Sequence, residues 1–316
     1  QEVAMARTVS PTSLAVAVLA FSVPASAQAQ AADHQHADGA APHDHANPIV
    51  SCTDLATPPW TGLPEADRQR IASLQEGLAD LSTPEAALAA GFSPLAGEVP
   101  GMGVHYISDE RTGNGVRADE PDHLLFSKVD GEERLVGAAY AFIDVPDAEL
   151  PNPFETQLAH WHDHPEIAPP GQTLHMLHVW FVPSSNGPFA GLNFWLPFET
   201  RGITPPSACW MADAEIGEII QNVSFGLIPP GIELDRMLAR GREPAAIPAE
   251  PSAERRAIMA DLDAAARDSN LNAWLDAADR FLADLTPAER ARSQMFLRFL
   301  THAQMSTQER EAGQAN

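Results

Sequence analysis

The sequence predicts an α+β fold: an antiparallel sheet in the middle of the chain, helices before and after it, and a C-terminal helical segment. Three observations carry that expectation. Ile71, Leu74, Leu78 and Leu81 recur at helical spacing ahead of residue 92. From Phe92 the chain changes to short apolar runs broken by glycine and proline, with Asp130-Gly131 as a hairpin turn signal. Past Cys209 helical periodicity returns and lasts to the end of the chain.

Residues 1–27 read as a targeting segment. Arg7 supplies a short basic region, an apolar run covers 14–23, and Ala25-Ser26-Ala27 is a small-residue cleavage site. A run of about ten apolar residues is half of what a membrane span needs, so the expectation is export and cleavage, giving a periplasmic or secreted protein. Residues 28–50 follow without apolar periodicity, built of alanine, aspartate, glycine, proline and histidine, and are expected to be a disordered tether. Its histidines (His34, His36, His43, His45) lie beside Asp33 and Asp44, a composition that either captures divalent metal weakly or serves as a spacer.

The core domain is expected over 51–241. Pro64 in a first turn and the stripe from Ile71 predict a helix over 64–80. Thr83 as N-cap, Pro84 at the first position and Gly91 as a stop predict a second helix. Strands are predicted over 101–107, 123–128, 135–145 and 174–182, with a further one over 192–198. Short helices are expected over 212–221 and 232–240, then a proline and alanine linker over 242–251. In the segment 252–316, Ser252 caps one helix, Leu271 to Leu285 mark another, and Thr286-Pro287-Ala288-Glu289 is a capping box for a third. This tail is expected to pack on the sheet or on a protein partner.

The 316 residues are 44% hydrophobic, enough for a core, and carry 43 acidic against 19 basic side chains, a net charge of −24. That balance repels phosphate backbones and anionic headgroups, so nucleic acid and membrane-surface roles are not expected; cations are the natural partners. Cys52 and Cys209, the two cysteines, are expected to form a disulfide after export. On the chain-entropy model the bond stabilises by about 4 to 5 kcal/mol. The alternative is a pair of thiolate ligands.

Residues 160–181, HWHDHPEIAPPGQTLHMLHVWF, hold five of the twelve histidines: His160, His162, His164, His175 and His178. Neutral imidazole suits zinc and copper, so this stretch seeds a site for a divalent metal ion, copper or zinc. In an extended backbone His160, His162 and His164 point to one side. Strand alternation separates His175 from His178, and Trp180 beside His178 marks the buried face. His105 follows the glycine pair Gly101 and Gly103, which admit close backbone approach, and is expected to add a ligand from another strand. Glu98, Asp122, His123, Asp163 and Glu166 are candidates to orient those imidazoles.

Other signatures are absent from the sequence. His160-Trp161-His162 with Glu166 lacks the glycines of the cupin motif, and there is no HExxH, no phosphate-binding glycine loop and no GxSxG elbow. The segments AALAAGF (86–92), PGMGVHYI (100–107), PDHLLF (121–126), LVGAAY (135–140), HMLHVWF (175–181) and NGPFAGLN (186–193) resemble, in this order, a family of secreted bacterial proteins without assigned function. Its most specific pieces, GMGVHY and LHVW, imply a secreted α+β domain with His105 and His178 as site residues, and imply no reaction. The expected function is therefore metal binding at a histidine-rich site. A metal-dependent hydrolase or oxidoreductase using the same histidines, and a non-metal interaction module, remain as alternatives.

Overall fold

A computed structural model describes residues 53–95, 97–112, 120–146, 149–164, 168, 171–185, 187–206, 214–232, 235, 247–248 and 250–304. The expected leader (1–27), the tether (28–50), both cysteines, Glu166 and most of 232–251 lie outside the described residues.

The N-terminal helices form as the sequence predicts. After a single turn, α1 (Thr53–Ala56), comes α2 (Glu65–Gly77), which buries Ile71 and Leu74. In α3 (Pro84–Ala89) the Thr83 hydroxyl accepts from Ala86 N at 3.2 Å and satisfies a first-turn donor. Six strands follow: β1 (Ser93–Pro94), β2 (Val104–Ile107), β3 (His123–Val129), β4 (Glu132–Ile143), β5 (His162–Asp163) and β6 (Leu174–Trp180). They make one sheet in the order β1-β2-β3-β4-β6-β5, every neighbouring pair antiparallel. Asp130 and Gly131 both take positive φ, 54° and 80°. A two-residue hairpin matching strand twist requires that pairing.

The strand expected over 192–198 is a turn running into a short helix, α4 (Leu196–Glu199). Asn193 causes the difference: its Oδ1 accepts from Trp195 N at 3.0 Å while its Nδ2 donates to Pro183 O at 2.8 Å. Its side chain thus offers the backbone a local turn, and Pro197 then suits a first helical turn. An unbroken apolar run carries no period that separates strand from helix. Downstream, α5 (Ala214–Gly226) extends past the expected end because Val223 and Phe225 continue the apolar series begun by Ile216 and Ile220.

The C-terminal segment folds as three helices, α6 (Ala253–Arg267), α7 (Leu271–Asp284) and α8 (Pro287–Gln304). Each start carries a side-chain cap. Ser252 accepts from Arg255 N at 3.0 Å, Asn270 from Ala273 N at 3.1 Å, and Thr286 and Glu289 cap one another reciprocally at 3.2 and 2.8 Å. Leu262, Trp274, Phe281 and Phe296 share one core with Phe198, Ile220 and Phe225. The tail therefore covers its apolar face with its own chain, and α8 reaches β5.

The two faces of the sheet carry different cores. Tyr106, Leu124, Phe126, Ala138, Leu177 and Val179 meet the side chains of α2 and α3. Leu125, Ala139, Ala141, Met176 and Trp180 face the other way, toward Ala190 and Leu196. No helix among the described residues is long and apolar enough to cross a membrane.

Candidate metal centre

Directly opposed residues of antiparallel strands share a face, as do residues two apart along one strand. His162 opposes Met176; His178, two residues on, opposes Ala139; Ala139 opposes His123. His105 opposes Leu125, two residues from His123. The register thus collects His105, His123, His162 and His178 on the face that carries Trp180. His164 continues β5, its N donating to Leu174 O at 2.8 Å, and joins them.

Strand β4 makes room for five imidazoles. On this face it presents Gly137, Ala139 and Ala141, none with bulk beyond a methyl group. A Cβ at Gly137 would come within 2.8 Å of Val179 O. Ahead of β2, Gly103 takes φ +72°, and a Cβ there would sit 2.4 Å from Phe126 O. Only glycine lets the chain approach β3 so closely, and that approach delivers His105 to the group.

All five rings are buried, and they touch. His162 lies 4.9 Å from both His164 and His178 between ring centroids, and His164 lies 6.0 Å from His178. One ring nitrogen from each of His162, His164 and His178 falls within 4.8 Å of the others. His105 Nε2 lies 3.4 Å from His178 Nε2. In a tetrahedral site with bonds of about 2.0 to 2.1 Å, ligand nitrogens stand about 3.4 Å apart.

Protonation favours lone pairs. Burial, and then the neighbouring imidazoles, hold His162, His164 and His178 well below the usual histidine value. Burial and His123 push His105 down to about 3. All four are neutral at pH 7, the form that binds metals. His178 Nδ1 donates to Gly191 O at 3.0 Å, which leaves Nε2 as the lone-pair atom facing the group. The His160 carbonyl lies close to the His162 ring but outside hydrogen-bonding geometry. His162 Nδ1 and Nε2, His164 Nε2 and His123 Nδ1 are buried with no hydrogen-bond partner among the described residues. Leaving buried polar atoms unpaired costs about 1 to 3 kcal/mol each, and a bound ion is one way such atoms are satisfied.

The other expected residues fall outside this group. His160 is exposed, its Nδ1 donating to Leu158 O at 3.0 Å, with its ring 6.4 Å from that of His162. Because β5 starts only at His162, the alternation expected from His160 has no paired strand to enforce it there. His175 sits on the opposite face, where its Nδ1 meets Asp163 Oδ1 at 2.8 Å. Asp163 thus does orient an imidazole, that of His175. Glu98 Oε1 accepts from Ser127 Oγ at 3.3 Å.

His123, expected only to orient other groups, lies within the cluster, its ring 6.0 Å from that of His105. The segment that aims the triad is anchored from across the sheet. Asp67 on α2, buried, accepts from Glu155 N and Thr156 N, each at 2.8 Å, and so ties down the chain that leads into β5.

No protein-family model, curated protein or solved structure matches this chain. Fold and site define it as an α+β protein with a buried cluster of neutral histidines, three of which lie close enough to hold one metal ion.

Proposed function

We propose that this is a metal-binding protein, exported to the periplasm or beyond, that holds a divalent transition ion, zinc or copper(II), on His162, His164 and His178. The observation that carries the reading is the convergence of one nitrogen from each of three buried imidazoles within 4.8 Å, with both nitrogens of His162 and Nε2 of His164 left without a hydrogen-bond partner among the described residues. A packed core tolerates few such atoms, and an all-imidazole set selects transition metals over magnesium or calcium. His105 adds a neighbouring donor, and the expected leader supports export.

The test is elemental analysis of the full chain purified without a histidine tag, with His34, His36, His43 and His45 changed to alanine so that only the folded site is counted. At least one ion per chain is expected after dialysis against zinc or copper(II), and none on the triad when His178→Ala is added. A parent protein that retains neither metal would overturn the reading.

A further inference from the structure

Two triad ligands, His162 and His164, alternate along the chain with Trp161 and Asp163, which point the other way. The Trp161 ring packs on Phe142 at 5.3 Å between centroids, and its Nε1 donates to Pro151 O at 2.9 Å. Asp163 Oδ1 lies 2.8 Å from His175 Nδ1. Asp163 and His175 are both buried and stand directly opposite one another in the ladder, and His175 in turn opposes Phe142. Both anchors of this stretch therefore lie on the face that packs toward α2, while both ligands lie on the other.

Backbone pairing alone holds β5 weakly. It is an edge strand of two residues, continued by one bond from His164 N to Leu174 O. Register in a sheet is specified by what the two faces carry, and a slip of one residue turns every side chain over. In β5 such a slip would aim His162 and His164 toward Phe142 and bring Asp163 among the imidazoles. It would also separate Asp163 from His175, leaving two buried polar groups without the contact they now share, which opposes the slip.

We propose that Asp163 and His175 are the positioning pair of the metal site: their contact sets the register of β5 that turns His162 and His164 toward His178. This rests on the proposed metal-binding function and adds to it the residues that hold its ligands in place. Neither member of the pair ligates the ion. Each acts through the two histidines that flank Asp163, and supporting groups around metal ligands change affinity by about 10- to 100-fold. His175→Ala thus still loads with metal at saturation, but more weakly and in a less uniform geometry.

Chelator competition for zinc and copper(II), with electron paramagnetic resonance of the copper(II)-loaded protein, tests the proposal on the full chain with the four tract histidines changed to alanine. Asp163→Ala and His175→Ala should each lower affinity about 10- to 100-fold and turn a single copper(II) spectrum into a mixture. Asp163→Asn keeps an oxygen that accepts from His175 Nδ1 and should recover most of the affinity and the single spectrum. Thr286→Ala, which removes the α8 cap, should move neither readout. Parent affinity and spectrum in both alanine variants, or an equal loss in Thr286→Ala, would overturn the positioning role and leave the triad standing. A parent that takes up neither metal would overturn the metal-binding function itself. If circular dichroism shows that Asp163→Ala does not fold, His175→Ala and Asp163→Asn decide the outcome.

Discussion

Two histidines three residues apart on β6 show how the two faces of the sheet differ. His175 and His178 are 3% and 0% exposed, so burial does not separate them. On one face His175 has the Asp163 carboxylate at 2.8 Å; on the other, His178 meets three further imidazoles and the carbonyl of Gly191. A histidine matched with a carboxylate has its polar group satisfied by the fold itself. Where imidazoles face imidazoles, His178 Nε2 has only His105 Nε2, at 3.4 Å, and both His162 nitrogens and His164 Nε2 are left without a partner among the described residues. Ligand character here comes from the assignment of partners and not from depth.

The sharpest way to break that contrast is to truncate each histidine in turn. His178→Ala should abolish metal retention on the triad. His175→Ala should keep the metal and lower stability by about 1 to 3 kcal/mol, the cost of removing a partner from a buried polar group. Metal counting paired with urea unfolding reads both, and equal metal loss in the two variants would erase the distinction between the faces.

The next largest effect is on pH dependence. In the metal-free protein His105, His162, His164 and His178 have values lowered from about 6.5, so the unfolded chain binds more protons than the folded one below that pH. Their neutral forms therefore leave stability intact above about pH 6.5, and it falls as the pH drops toward 3. Each such imidazole contributes a slope of about 1.4 kcal/mol per pH unit. Urea midpoints of the metal-free chain at pH 7.5 and 5 should differ strongly, and equal midpoints would mean that the histidine face admits protons freely.

Ala139→Val adds bulk between His123 and His178, its Cα partners on either side. Overpacking of this kind costs about 1 to 3 kcal/mol, and metal affinity should fall with it in a competitive chelator titration. The smallest change lies away from both faces. Thr286→Ala removes the α8 cap and should cost about 1 kcal/mol of thermal stability while leaving the metal count untouched.

Much of the fold was legible because its signals are local. The caps at Thr83, Ser252 and Thr286 and the turn at Asp130-Gly131 sit where short-range chemistry puts them. Alternation alone also separated His178 from His175 and joined His162 to His164. What the sequence hid is long-range register. Counted back from the hairpin turn without interruption, His123 would oppose Ala138, whose side chain faces α2. A register shift between Leu125 and Phe126 places an extra residue in β4, so that Ala139 lies opposite His123 and joins it to His178 on one face. One extra residue in a ladder reverses every side chain beyond it, and no local pattern announces where it falls.

Ala139 also acts as a ruler. It lies between His123 and His178 in the hydrogen-bonded ladder, so the distance between those imidazole anchors is two strand spacings of about 4.8 Å each. That interval is set by backbone geometry, which every sheet shares. Substitutions elsewhere in the core can then change the stability of the protein without altering the gap between His123 and His178.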